Sequence, residues 1–252
     1  MIDSSNPFDL SGQVALITGG SRGIGYACAK SLANAGAEIF ILSRNGIADN
    51  ALKALELNGN KVHSLKCDIN DISKYNALFS NIPLVNILVN NAGMNMPMPI
   101  ASVTENVFDE IFTLNLKSVY FLTQFVVGKL VANDQEGSII NISSQMGHVG
   151  DSNRTVYCAS KHAVEGFTKS LAVELADKKI RVNSVCPTFV ETELTKPFFE
   201  DDEFKKSVLG RIPKGRLASV HDVSQAVLFL SSDSSKMITG SSIKVDGGWT
   251  AQ

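Results

Sequence analysis

Short apolar runs alternate along this chain with longer stretches of helical period. Val14-Ala15-Leu16-Ile17 is the first candidate strand and Ile39-Phe40-Ile41-Leu42 the second. Val62 to Cys67 is a third, less apolar one. Ile87-Leu88-Val89, Ser138 to Ile142, Arg181 to Val185 and Ser242 to Val245 complete a set of seven. Between them, apolar side chains recur three and four residues apart: Ile24, Cys28 and Leu32; Phe108, Ile111 and Leu114; Val164, Phe167, Leu171 and Leu175; Val223, Val227 and Leu230. That spacing gathers them on one helix face. Strands that are apolar nearly throughout are covered on both sides, and helices between them make the sheet parallel. With right-handed crossovers, the pattern predicts an α/β fold: a doubly wound, seven-stranded, mainly parallel sheet with helices on both faces.

No linker, composition shift or repeat divides the chain, so residues 1–252 read as one domain. Residues 189–216 break the rhythm, with Phe198, Phe199, Glu200, Asp201 and Asp202 and little strand signal. Two readings stay open for them: a surface helix pair, or a lid over a cleft. Ligands of such sheets bind beyond the carboxyl ends of the strands, which favours the lid.

Composition narrows the class. Of 252 residues, 44% are hydrophobic, and 23 basic residues face 25 acidic ones for a net charge of −2. That balance argues against disorder and against a general nucleic-acid binder. Cys28, Cys67, Cys158 and Cys186 form no CxxC pair and no metal-ligand spacing with histidine. They are expected to be buried thiols in a reducing compartment, with no metal site. Met1 to Leu10 lacks a signal-peptide pattern, and the apolar segment Val119 to Val131 is shorter than the roughly 20 residues of a membrane span. The expectation is a soluble, cytoplasmic protein without membrane or nucleic-acid partners.

The first strand runs into Thr18-Gly19-Gly20-Ser21-Arg22-Gly23-Ile24-Gly25 and then a helix. Glycines permit a tight turn and close backbone approach to a pyrophosphate, and the helix N-terminus offers free N–H groups. Strand, loop, helix and second strand in that order point to a dinucleotide. NAD recognition usually places an acid at the end of the second strand. This strand instead ends Leu42-Ser43-Arg44, and Glu38 lies at its opening. Arg44, with Arg22 in the loop, suits the 2′-phosphate of NADP(H), which is preferred, although both arginines would also serve as solvated surface charges and NAD(H) stays open. Tyr157 and Lys161 are four apart on a predicted helix and share a face. The preceding strand exits through Asn141-Ile142-Ser143-Ser144 on the cofactor side.

Taken together, these motifs resemble the short-chain dehydrogenase/reductase family, in its single-domain branch of about 250 residues, from about residue 8 onward. The resemblance rests on Thr18-Gly19-x3-Gly23-Ile24-Gly25, Asn90-Asn91-Ala92-Gly93, Asn115, Ser144 thirteen residues before Tyr157, Tyr157-x3-Lys161 and Val245-Asp246-Gly247-Gly248. It implies a Rossmann-like fold and hydride transfer between nicotinamide and a carbonyl or secondary alcohol. In that scheme Tyr157 is the general acid in reduction and base in oxidation. Lys161 lowers its pKa and bonds the nicotinamide ribose. Ser144, with Ser143 as the alternative, polarises the substrate oxygen. Asn115 holds a relay water.

The same resemblance assigns cofactor contacts to Gly19, Ser21, Arg22, Gly23, Ile24, Gly25 and Arg44 in the first half of the site. It adds Asp68, which would bond the adenine amine but would equally serve as a strand-end turn residue, and Ile69. Asn91, Ala92 and Gly93 resemble the wall beside the adenine ribose. Pro187, Thr188, Val190 and Thr192 resemble the carboxamide site, with Thr188 standing where the family usually has glycine.

Substrate-side candidates are Ser144, Gln145, Met146, His148 and Phe189, with Met94, Asn95, Phe198 and Phe199 behind them. Met94, Met96 and Met98 would make an adaptable apolar wall, or simply core. The C-terminal motif is similar to that of gluconate 5-dehydrogenase-like members, and the whole set suits 3-oxoacyl reductases. An NAD(H)-dependent sugar-acid or polyol dehydrogenase is therefore an alternative, and a non-catalytic nucleotide sensor on the same fold is another. The resemblance also implies a homotetramer or homodimer.

Overall fold

The computed structural model describes residues 6–193 and 195–252. In chain order its elements are β1 Val14–Thr18, α1 Gly23–Asn34, β2 Glu38–Ser43, α2 Asp49–Glu56, β3 Val62–Lys66, α3 Tyr75–Leu78 and β4 Ile87–Asn90. Then come α4 Glu105–Phe112, α5 Ser118–Ala132, β5 Gly137–Ile142, α6 Thr155–Glu174 and β6 Ile180–Pro187. The chain closes with β7 Val190–Glu191, α7 Asp202–Gly210, β8 Ala218–Ser219, α8 Val220–Ser231 and β9 Ser242–Val245.

Seven strands form one sheet in the order β3-β2-β1-β4-β5-β6-β9, and every pairing in it is parallel. The order reverses direction between β1 and β4, which places a crevice at their carboxyl ends. All five residues of β1 are buried, as are all four of β4. Two apolar layers flank the sheet. One joins Ala15, Ile17, Ile39 and Ile41 to Cys28 and Leu32 of α1 and to Val223, Val227 and Leu230 of α8. The other joins Leu16, Phe40, Leu42 and Leu88 to Leu122, Val126 and Leu130 of α5.

A five-residue π-helical turn, Thr113–Lys117, joins α4 to α5. The resulting helix, Glu105–Ala132, has the length and apolarity to cross a membrane, so the limit read from Val119 to Val131 alone understates it. Here its apolar face covers the sheet, with Leu122 and Leu130 fully buried. The four cysteines are free and buried.

The 189–216 excursion is bracketed by β7 and β8, which pair with each other in a separate two-stranded ladder. Between them lie a 3-10 turn, Lys196–Glu200, and α7, whose N-cap Asp201 accepts from the backbone N–H groups of Glu203 and Phe204. Val208 and Ile212 are buried with Trp249 beneath this pair, and Phe189, Phe199 and Phe204 pack against them. Phe189 is the hub, with ring centroids 5.8 Å from Phe199, 5.7 Å from Phe204 and 6.1 Å from Trp249.

Candidate active site

The glycine loop follows β1 and turns on left-handed residues, Gly19 at φ +65° and Gly23 at φ +55°, where any side chain would be strained. Arg22 is the N-cap of α1, and no acidic residue occupies the first turn. The helix therefore presents free N–H groups and the positive end of its dipole to the crevice. The loop is tied to the exit of β4. Thr18 Oγ1 accepts from the backbone N–H groups of Asn91 and Ala92, each at 3.0 Å, and Asn91 Nδ2 donates to the carbonyls of Thr18 and Gly19. Thr192 lies across from Gly23, its Cγ2 3.6 Å from where a Cβ would stand. The β6 exit thus closes the other side of the loop.

Arg22 and Arg44 are both exposed, and neither pairs with a carboxylate among the described residues. Glu38, at the far end of β2, is engaged by His63 at 2.7 Å. Asp68 is exposed and accepts from the N–H of Asn70, as a turn aspartate does, while Ile69 is buried. Thr188 donates its N–H to Val245, and its hydroxyl is buried with no hydrogen-bond partner. These features fit a dinucleotide: strain-tolerant glycines, an uncapped helix end, unpaired cations and an orphaned hydroxyl at the β6 exit.

Asn115, Ser144, Tyr157 and Lys161 converge beyond β4 and β5. Asn115 sits in the π turn, 1% exposed. Its Oδ1 accepts from the N–H of Met94, and its Nδ2 donates to the Met94 carbonyl and to Ser160 Oγ. A Cβ on Gly93 would lie 3.2 Å from Asn115 Oδ1 and 3.7 Å from Lys161 Nζ, so these three residues share one small space. Lys161 Nζ donates to the carbonyl of Ile142 at 2.8 Å and stands 5.7 Å from the centre of the Tyr157 ring. Burial pushes the Lys161 pKa down to about 8, against an upward pull from Cys186 and Glu165. Burial likewise raises the Tyr157 phenol, while a hydrogen bond with Ser144 and the charge of Arg154 pull it down. The depressed tyrosine expected from the resemblance is thus not what the protein alone sets up, because desolvation outweighs the two downward pulls.

Ser144 caps a 3-10 turn, Gln145–Gly147, and accepts from the N–H of Met146. Its own proton points at Gln145 Oε1, 2.8 Å away. Gln145 and Met146 are buried. His148 turns its Nε2 to Cys186 Sγ at 3.4 Å and Glu165 Oε2 at 3.5 Å. Of the other substrate-side candidates, Phe189 lies at the centre of the aromatic cluster, Met94 is half-buried, and Asn95 and Phe198 are exposed.

Two polar sets escaped the sequence reading. Asn90 Nδ2 donates to Thr123 Oγ1 and Asn141 Oδ1, and Asn141 Nδ2 donates to Thr168 Oγ1, all at 2.9 Å. This ladder pins α5 and α6 to the sheet. The other set centres on Glu165, 3% exposed. The available signal was a carboxylate on the buried face of α6, beside Val164 and Thr168.

Comparison with known proteins agrees with this geometry. A family model described as enoyl-(acyl carrier protein) reductase matches residues 19–250, and the chain belongs to the short-chain dehydrogenase/reductase family. It is 40% identical to L-xylulose reductase of Bos taurus over 96% of this chain and 98% of that one. It is 38% identical to D-erythrulose reductase of Gallus gallus, again over 96% and 98%. A proposed 2-deoxy-D-gluconate 3-dehydrogenase from Agrobacterium tumefaciens, solved with NADP bound, superimposes with a TM-score of 0.93 at 37% identity, covering 98% of this chain and 100% of that one. The chain is accordingly an oxidoreductase acting on CH–OH or C=O groups with a nicotinamide cofactor.

Proposed function

We propose that this protein is an NADP(H)-dependent reductase of small polyhydroxylated ketones, working through Asn115, Ser144, Tyr157 and Lys161. The observation that carries the reading is their convergence at the crevice beside the glycine loop. When bound, the cofactor supplies or accepts the hydride. Tyr157 gives a proton to the oxygen that becomes the alcohol, and takes it back in oxidation. Lys161, fixed by the Ile142 carbonyl, favours phenolate by its charge. Ser144 polarises the substrate oxygen once its proton swings from Gln145 Oε1. Asn115, held at both ends by Met94, keeps its carboxamide oriented to hold a relay water.

Arg22 and Arg44 bind the 2′-phosphate, and Gly19, Ser21, Gly23, Ile24 and Gly25 with the α1 N-terminus bind the pyrophosphate. Asp68 and Ile69 would hold the adenine. Asn91, Ala92 and Gly93 line the ribose, and Pro187, Thr188, Val190 and Thr192 hold the carboxamide. Support for NADP(H) comes from the two unpaired arginines, and for a ketose from the relatives' names, L-xylulose and D-erythrulose reductase. The 3-10 turn and α7 form the substrate lid. The half-exposed Tyr120 and Phe108 suit a helix-mediated homotetramer, which light scattering on the eluting peak tests. Buried free thiols suit a cytoplasmic setting.

The central test is oxidation of NADPH against a panel of short ketoses, keto-sugar acids and 3-oxoacyl esters. Ketose turnover is expected, lost in Tyr157→Phe with NADPH binding retained. Unchanged turnover in Tyr157→Phe refutes the mechanism, a tenfold preference for NADH refutes the Arg44 assignment, and NADPH binding without turnover of any carbonyl favours a nucleotide sensor.

A further inference from the structure

Three successive residues at the exit of β5 meet three successive turns of α6. Ser144 lies with Tyr157, and the Ile142 carbonyl accepts from Lys161. Ser143, its hydroxyl buried and without a hydrogen bond of its own, lies beside Glu165. Glu165 is thus the next member of the Tyr157–Lys161 row, on the same helix face at the same interval of four.

Its carboxylate gathers everything around it. Ser184 on β6 donates to Oε2 at 3.0 Å, Ser242 on β9 donates to the same oxygen, and the Cys186 thiol donates to Oε1 at 3.3 Å. His148 Nε2, from the segment just past the Ser144 turn, approaches at 3.5 Å. Gly147 permits that approach, since a Cβ there would meet Ser143 Oγ at 2.9 Å and Glu165 Cγ and the Lys161 carbonyl at 3.1 Å. The three donor atoms of His148, Glu165 and Cys186 lie within 4.8 Å of one another, as metal ligands do. Burial pushes the Cys186 thiol up to about 12, however, and a protonated thiol donating to a carboxylate is a hydrogen-bond partner rather than a metal ligand.

We propose that Glu165 is a positioning residue for carbonyl reduction, supplying the buried counter-charge of Lys161 and anchoring the turn that carries Ser144. The inference rests on the proposed function, because it gives Lys161 a charge that the chemistry needs. A buried ammonium is costly without a nearby anion. Burial would push the Glu165 carboxyl up, but hydrogen bonds from Ser242, Ser184 and Cys186 hold it below its ordinary value, so it stays ionised. The neighbouring groups do not replace it. On β6, Cys186 stays neutral. On the turn, burial lowers the His148 pKa, which leaves the ring neutral at pH 7. Lys244 on β9, with Lys169 and His162 on α6, carries the wrong sign or none, and Arg154 acts on Tyr157.

The test is Glu165→Gln, which keeps the size and one acceptor oxygen and removes the charge. Without the carboxylate, Lys161 loses its proton at a lower pH. A fall of one pKa unit from about 8 leaves about a tenth of Lys161 protonated at pH 8 instead of about half, so kcat there should fall about fivefold, while near pH 6 both proteins stay mostly protonated and the deficit all but vanishes. The ketone KM and the NADPH Kd should stay near wild type. Glu165→Asp keeps the charge and should give a profile parallel to wild type. A deficit of the Gln variant that is equal at all pH values, the absence of any deficit, or a Gln-like pH dependence in the Asp variant overturns the proposal. If the Gln variant does not fold, the Asp profile alone decides by the same criterion. A wild type that turns over no carbonyl with NADPH strikes the proposed function itself, a different and distinguishable failure.

Discussion

Gly25→Ala sets two effects of opposite sign against each other. Gly25 lies in the first turn of α1, where alanine would gain at most about 1 kcal/mol of helix propensity over glycine. The added Cβ, however, would stand 2.5 Å from the Gly19 carbonyl oxygen and 2.5 Å from Asn91 Nδ2. Neither is the free end of a flexible side chain, because Asn91 Nδ2 is itself bonded to the Thr18 and Gly19 carbonyls. Overpacking of this kind costs about 1–3 kcal/mol. Breaking the Asn91 bonds to escape it costs about 0.5–1.5 kcal/mol for each. The net is a loss of about 1–5 kcal/mol. If the loop holds its place, the folded state carries the loss, and Tm falls by about 2–4 °C per kcal/mol in a chain of this size. If the loop retreats, the pyrophosphate cradle opens and NADPH binding carries the loss, at tenfold in Kd per about 1.4 kcal/mol. Calorimetry and a fluorescence titration of NADPH measure the two shares. Gly128→Ala in α5, where a Cβ meets nothing within 4 Å, is the control and should be neutral or stabilising. A Gly25→Ala protein that melts no lower and binds NADPH as tightly as wild type refutes the reasoning.

Other expectations follow from the same structure. Tyr157→Phe removes the proposed proton donor and should lower kcat by about 10²–10⁴, the usual range for general acid catalysis, in an NADPH-oxidation assay. Asn141→Leu strips Asn90 and Thr168 of a buried partner and should cost about 1–3 kcal/mol in urea melts. Burial lowers the Lys161 pKa to about 8 from its ordinary 10.5, so below pH 8 the folded state bears the full cost of its buried charge, and that cost is released as pH rises to 10.5. The stability of Lys161→Met relative to wild type should therefore fall by about 3 kcal/mol between pH 7 and 10.5, and a pH-independent difference would refute the burial argument. Phe189→Ala empties the hub beneath α7 and should lower stability by about 3 kcal/mol while raising the ketone KM.

What could be read from the chain depended on the range of the signal. Val14 to Ile17 and Ile87 to Val89 are apolar at every position because both sheet faces are covered, and such runs mark central strands without any partner being known. β7 and β8 have two residues each, too few for a period, so the ladder that brackets the 189–216 excursion left no trace in the pattern. The π turn at Thr113–Lys117 was equally silent, since Phe108, Ile111 and Leu114 keep helical spacing through it. Motif residues such as Tyr157 and Lys161 were legible because one helix fixes their relation. The Glu165 set was not, because His148, Ser184, Cys186 and Ser242 come from three other places and meet only after β5, β6 and β9 align. The near-neutral charge reads differently as well. With no basic field to draw a phosphate in, the proposed recognition rests on Arg22, Arg44 and one helix end. On the proposed roles, the Glu165 carboxylate then helps hold the Lys161 ammonium against burial, so the chemistry of this site turns on local charges of one unit each.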